Sequence, residues 1–287
     1  IEVLRLPYGI DPVLVIVDND PESTARDAAE AAAAALDWPL RYRIEPRPGV
    51  SFVRNTALRL SWDCDFVAFI DDDETADSDW LAELLSSQRE TKAAAVTGPT
   101  LPVFSAAGPA WLRPAFELCQ VRPKGARAMR EFATCNLLLD RRVLEREGLC
   151  FDEGLSLIGG EDTLLAAELV RRGHRIAWAE RALTYEMIPA SRMQLGWLMR
   201  RWFRTGNTDA MLAMRHRGAL TGRVVGIGRG LIRIGAGLIA LALSLPLCLI
   251  GVRERALLRL YTVARGAGMV AATLGRQHRE YTVVHGG

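Results

Sequence analysis

Short apolar runs, each closed by polar or acidic residues, alternate with stretches of helical period through most of the chain. Val13 to Val17 is apolar and ends in Asp18-Asn19-Asp20-Pro21; Phe66 to Ile70 is apolar and ends in Asp71-Asp72-Asp73-Glu74. Such runs are buried strands that deliver carboxylates to the open end of an α/β sheet. Between them, the alanine-rich stretch from Ser23 to Leu36 has high helix propensity, Leu40 to Ile44 alternates as a strand, and a short helix carries Ser51, Arg54 and Asn55. Asp77 to Glu90 predicts a helix with Trp80, Leu81, Leu84 and Leu85 on one face, and Ala94 to Thr97 a further strand.

Periodicity is lost from 100 to 131, where Pro, Gly and the bases Arg113, Arg122, Lys124, Arg127 and Arg130 collect. A loop of that length is functional or mobile. Phe132 to Leu139 returns to strand, and a short helix stops at Gly148. Gly159-Gly160-Glu161-Asp162 then opens an amphipathic helix that runs to Gly173. After a strand at 174–179 and Tyr185-Glu186, Ser191-Arg192-Met193-Gln194 reads as a capping box for a helix with Trp197, Arg200, Arg201, Trp202 and Arg204. Alternating strands and helices predict an α/β fold, a doubly wound and mostly parallel sheet with its ligand beyond the carboxyl ends of the strands.

The C-terminal pattern differs. Ile234 to Val252 is nineteen residues without a charge, between Arg233 and Arg253. As a helix it covers about 28 Å, barely a bilayer core, and Pro246 interrupts it. A second apolar stretch, Ala256 to Gly275, contains Arg259 and Arg265, which are costly in lipid. With six Arg against two acids after Val252, the tail belongs on the cytoplasmic side, and the two stretches predict a re-entrant or interfacial helical hairpin. A buried soluble helix pair is the alternative. The domain expectation is therefore a catalytic domain over 1–208 and a helical, membrane-associated region over 209–287.

Composition adds limits. The chain has 287 residues, 49% hydrophobic, 24% charged, with net charge +2, which describes a folded protein and not a nucleic-acid binder. The five cysteines form no CxxC pair, which argues against a disulfide framework or a zinc site and suits a reducing compartment.

The candidate chemistry lies at 71–74. Four adjacent carboxylates repel one another, so a fold that keeps them there supplies a cation. Asp71 and Asp73 share one face of an extended backbone and offer hard oxygen ligands to Mg²⁺ or Mn²⁺, ions that commonly bridge to phosphates.

In this order the motifs resemble the family 2 glycosyltransferases, inverting nucleotide-sugar enzymes of the GT-A fold, over residues 11 to 205. Asp18 in Val17-Asp18-Asn19-Asp20 resembles the acidic residue that holds the donor's uracil or ribose. Arg54 in Val53-Arg54-Asn55 resembles the Ala-Arg-Asn arginine near the nucleotide. Asp71-Asp72-Asp73 is similar to Asp-x-Asp, which implies that Asp73 and Asp71 hold the metal and that Asp71 and Asp72 lie at the nucleotide diphosphate. Gly160-Glu161-Asp162 is similar to the Glu-Asp motif, which makes Asp162 the catalytic base and puts Glu161 near the acceptor. Arg201-Trp202 resembles the end of Gln-x-x-Arg-Trp, an acceptor- or phosphate-binding element of processive members, with Leu198 at the glutamine position. Glu186 stands where many relatives place a metal-ligating His. The resemblance implies an inverting transfer from a nucleotide-sugar, UDP-linked by family frequency, to a saccharide or lipid-linked acceptor. The setting implied is surface or exopolysaccharide assembly at the cytoplasmic side of the inner membrane. Family members begin with an apolar strand and a Thr-Tyr-type loop that are not found before Asp18, so an N-terminally truncated sequence is expected.

Two other readings stay open. Asp71-Asp72-Asp73-Glu74-Thr75 matches the Asp-x-Asp-x-Thr of haloacid-dehalogenase-like phosphatases, with Asp71 as a phosphorylated nucleophile. A membrane scaffold with a degenerate transferase domain is the non-catalytic reading.

Overall fold

A computed structural model of the chain describes residues 4–105, 108–118, 120–123, 129–249 and 254–276. Lys124, Arg127 and Arg253 lie outside the described residues. The described residues form two compact units: residues up to 101 together with 121–186, and residues 102–120 together with 187–276.

In chain order the first unit contains β1 (Leu14–Asp18), α1 (Arg26–Leu36), β2 (Leu40–Ile44), α2 (Val50–Leu60), β3 (Phe66–Ile70), β4 (Glu74–Ala76), α3 (Trp80–Thr91) and β5 (Ala95–Thr97). The chain crosses to the second unit within β6 (Thr100–Phe104), which leads to α4 (Arg113–Glu117). The first unit resumes with β7 (Asn136–Asp140), α5 (Arg141–Glu147), α6 (Glu161–Arg171) and β8 (Ile176–Trp178), and the chain crosses again within β9 (Thr184–Ile188). The second unit ends in α7 (Leu195–Arg217), α8 (Ala219–Leu249) and α9 (Glu254–Thr273).

β1 and β2 pair in parallel, as do β5 and β8. The larger sheet has the order β3-β7-β5-β8, and β7 runs antiparallel to both of its neighbours. β3, β5 and β8 therefore share one direction, and β7 is the reversed strand. β4 pairs antiparallel with β9. Two cores cover this sheet. Leu137, Leu139, Phe151, Leu165 and Leu169 form one; Trp80, Leu84, Val96, Leu138 and Ala177 form the other. Side chains of β7 alternate between the two, as the strand period of two requires.

Several expectations are revised. The stretch from 100 to 131, read as loop, contains β6 and α4. The strand expected from Phe132 begins at Asn136, whose amide first closes a turn on the Ala133 carbonyl. The buried Asn136 side chain accepts from Trp80 Nε1 and donates to the carbonyls of Pro99 and Ala182, a demand an alternating strand pattern does not reveal. No capping box forms at Ser191: the cap residue Gln194 is extended and makes no side-chain capping bond. Pro246 does not end α8, which continues to Leu249.

The second unit has its own core: Leu112, Phe116, Ile188, Met193, Leu198, Trp202, Leu257 and Ala264. Because 102–120 packs there, the division falls at 187, and residue 208 lies inside α7. Gly206 and Gly268 let α7 and α9 approach until a Cβ on either would overlap a backbone carbonyl, of Arg265 or Phe203. Asn207 donates to the Gly268 carbonyl at 2.7 Å, and Arg265 makes a two-point ion pair with Asp209.

Candidate active site

The end of β3 turns through Asp71-Asp72-Asp73, closed by the Glu74 amide donating to the Asp71 carbonyl at 3.2 Å. Asp71 and Asp72 are exposed and Asp73 is half-buried. Two elements reach this turn. α2 supplies Arg54, whose side chain is 14% exposed and whose guanidinium pairs with Glu161 and lies 3.8 Å from Asp71. α6 supplies Glu161, 4% exposed, and then Asp162. Gly159 and Gly160 both have positive φ, 82° and 91°, so the chain enters α6 through a bend open to glycine at little cost. The Asp162 carboxylate accepts from the Thr163 amide and hydroxyl, beside the positive end of the helix.

Electrostatics tie the cluster together. Loss of solvation raises the Asp71 pKa; Arg54 pulls it down, and Asp73, Asp72 and Asp162 push it up again. Solvent still reaches 44% of the Asp71 side chain, so the site opens outward. Thus Arg54, Glu161, Asp71, Asp72, Asp73 and Asp162 lie within mutual electrostatic reach. Glu161, expected at an acceptor, is instead buried against Arg54.

Residues not singled out as site residues hold this arrangement. Ser156 Oγ accepts from the Ser51 amide at 3.2 Å and its carbonyl from the Val50 amide, so a residue far along the chain caps α2. Asn55 donates to the Phe151 carbonyl and accepts from the Phe151 amide, both at 2.9 Å. The Arg54 guanidinium lies 5.8 Å from the centroid of the fully buried Phe151 ring. Asn55 stands in the quoted tripeptide; Ser156 carries no local signal.

Asp18 belongs to a neighbouring network. It is 8% exposed, and its two oxygens accept from the Asp20 and Ala25 amides and the Tyr42 hydroxyl. Burial and that bond push Tyr42 up to about 12. Its carboxylate is thus already engaged in shaping the turn. Asn19 joins β1 to α2 by donating to the Glu45 and Arg47 carbonyls and accepting from the Gly49 amide. Glu45, bonded to Arg47 and Thr56, is held down to about 2.

On the far side of the acidic turn, Glu74 of β4 stands directly opposite Glu186 of β9. Glu186 is therefore a strand residue. Burial, followed by Asp71 and Glu186 against bonds from Thr184 and Cys135, pushes Glu74 up to about 8. The groups around this turn are oxygen donors crowded by like charge, which is the chemistry that suits Mg²⁺ or Mn²⁺. Among the described residues no three His, Cys, Asp or Glu side chains form a group fit to cage a metal. Asp71 and Asp73 fit an ion that takes its remaining ligands from phosphate and water, as Mg²⁺ usually does.

Arg201 and Trp202 lie on α7 in the second unit. Trp202 is wholly buried, edge-on to Tyr261 with ring centroids 5.7 Å apart, which corrects the expectation that it contacts an acceptor. Arg201 lies over Trp197 at 5.3 Å.

The fold resembles GT-A glycosyltransferases. Mannosyltransferase PcManGT of Pyrobaculum calidifontis, solved with GDP-Man and Mn²⁺, matches with a TM-score of 0.59 at 18% identity, covering 88% of this chain and 76% of its own. GalNAc-T7, solved with UDP, GalNAc and Mn²⁺, matches with a TM-score of 0.52 at 13% identity, covering 74% and 45%. The family model described as glycosyltransferase like family 2 matches residues 2–205, and the chain belongs to that family. Succinoglycan biosynthesis protein ExoM of Rhizobium meliloti (strain 1021) is 36% identical over 200 residues, 69% of this chain. The match spans 64% of ExoM. Family membership sets aside the phosphatase reading of Asp71.

Proposed function

We propose that this glycosyltransferase moves a sugar, with inversion, from a nucleotide-diphosphate donor to a saccharide or lipid-linked acceptor in exopolysaccharide assembly. The observation that carries the reading is the convergence of Arg54, Asp71, Asp73 and Asp162 on one open acidic turn. The kinship with a succinoglycan biosynthesis protein favours polysaccharide as the product class. It also favours the cytoplasmic side of the inner membrane, where the helical tail would hold the enzyme.

Asp162 takes the proton of the acceptor hydroxyl while the new C–O bond forms and the bond to the donor phosphate breaks. A base so placed contributes about 10²–10⁴-fold. Asp71 and Asp73 would hold Mg²⁺ or Mn²⁺, which supplies neutralisation of the charge gathering on the leaving diphosphate. Arg54 keeps Glu161 neutralised so that the start of α6, and Asp162 with it, stays fixed. Asp72 and Asp18 border the donor, the latter by holding its turn, and Arg201 is the remaining candidate for an acceptor phosphate.

Calorimetric titration of UDP, GDP and dTDP with and without Mn²⁺, beside Asp73→Ala, tests the donor site. Metal-dependent binding lost in Asp73→Ala is expected. Absence of binding to all three nucleotides under every metal would replace this reading with the scaffold one.

A further inference from the structure

α8 is built inside out for a helix in water. Its buried positions are Gly222, Gly226, Gly230, Gly237 and Ser244, one ridge at spacings of four and seven. Most of that ridge meets α9: a Cβ on Gly226 would touch Thr273, one on Gly230 would touch Val270, and one on Gly237 would touch Val263. The large side chains point the other way. Leu220, Val224, Leu231, Ile232, Ile239 and Leu243 are 57 to 78% exposed. At about 100° per residue they fall on the side opposite the glycine ridge. Small residues at the helix contact with large apolar residues outside is the arrangement of helices that face lipid, and an exposed apolar strip of this length marks an interaction surface.

Charge selects the occupant. Arg223 and Arg229 are exposed on the two margins of the apolar face, and residues 212–233 hold five Arg and no acid. A second copy packed on this face would offer these arginines no counter-charge, because α8 carries no acidic residue along its length. An anionic bilayer pairs with them, the long stems lying on apolar surface and the heads at phosphate level.

The packing also selects the orientation. α9 runs antiparallel along α8, which places exposed Arg259 and the Arg265–Asp209 pair beside the apolar middle of α8. A crossing helix would carry those charges into hydrocarbon. We infer that α8 lies along the surface of an anionic membrane, its large-apolar face among the acyl chains and Arg223 and Arg229 at the headgroups, with α9 behind it and out of the lipid. The hairpin expected from the sequence thus has one lipid-facing arm. The inference deepens the membrane location proposed above and is independent of the donor site.

The test is co-flotation of the full-length chain with phosphatidylcholine vesicles and with phosphatidylglycerol-rich ones. Preference for the anionic vesicles is expected to fall about fivefold per arginine in Arg223→Gln and Arg229→Gln. Leu231→Glu with Ile239→Glu should lower partitioning by about tenfold or more, while Leu274→Glu, in the turn just after α9, leaves it unchanged. A fluorescent side chain installed in turn at Val224, Leu231 and Ile239 should report one shallow depth by brominated-lipid quenching. Depth that changes steadily along the helix would mean a crossing and would overturn the inference. So would absence of vesicle binding, or dimerisation that masks α8 in lipid-free buffer. If the Glu variants unfold by circular dichroism, the arginine variants and the depth series decide. UDP titration on the same variants separates failure here from failure of the donor site.

Discussion

At the residue scale, the Arg54–Glu161 pair separates structural from catalytic roles. Removing one member of a buried pair leaves the other charge uncompensated, at about 3–5 kcal/mol, whereas replacing both with apolar residues is often neutral. Arg54→Met alone should therefore lower the denaturant midpoint sharply, and Arg54→Met with Glu161→Leu should restore it without restoring turnover. Asp162→Asn is different: stability and donor affinity should stay near wild type while kcat falls about 10²–10⁴-fold. A matching loss of nucleotide affinity would argue against Asp162 as the base. Glu45 gives the pH dependence. Its folded pKa of about 2 lies below the ordinary 4.5. Its stabilisation is therefore complete above pH 4.5 and is lost as pH falls from there toward 2. Glu45→Gln should flatten this part of the midpoint-against-pH curve, and an unchanged curve would show that the bonds to Arg47 and Thr56 carry no linkage. The acidic turn and the Glu-Asp pair were legible in sequence because runs of like charge and paired glycines are local signals. Asn55, Ser156 and Glu74 opposite Glu186 were not, because their partners are distant in sequence and only folding brings them together.

At the element scale, the site depends on how α2 and the start of α6 are anchored. Gly49 has φ 117°, and a Cβ there would lie 2.5 Å from Ser156 Oγ and 2.6 Å from its carbonyl oxygen. Gly49→Ala should thus displace the 151–160 loop, costing about 1–3 kcal/mol by chemical denaturation and lowering activity more than a surface Gly→Ala at Gly148. Asn55→Ala should cost about 1–3 kcal/mol by leaving the Phe151 amide and carbonyl unpaired. The strands were readable as apolar runs, and α1, α3 and α6 from their period and termini. β6 and α4 escaped because five-residue elements, rich in Pro and Gly surroundings, carry too little pattern to stand out. They form because Phe104 and Phe116 have a core to enter, a fact of packing and not of propensity.

At the scale of the whole molecule, a ligand that binds only the folded chain stabilises it by mass action. UDP with Mn²⁺ at about a hundred times Kd should add about 2.7 kcal/mol and raise Tm by about 5–10 °C, measured by differential scanning fluorimetry. UDP or Mn²⁺ alone should give a much smaller shift. Equal shifts for UDP with and without Mn²⁺ would remove the metal from the donor site. The division of the chain into units also belongs to this scale: β6, β9 and 102–120 join one part or the other according to which core their side chains enter.

The sequence by itself determined the family, the alternation of the longer strands and helices, the acidic turn after β3 and the apolar character of the tail, since each is written in neighbouring residues or in a short period. Tertiary structure decided the rest. It reversed β7 within the sheet, buried Glu161 against Arg54, enclosed Trp202 beside Tyr261, engaged Asp18 with Tyr42, and turned the glycines of α8 inward so that its large side chains face out. Each of these depends on groups tens of residues apart meeting in one place, where charge compensation, hydrogen-bond satisfaction and close packing are settled jointly.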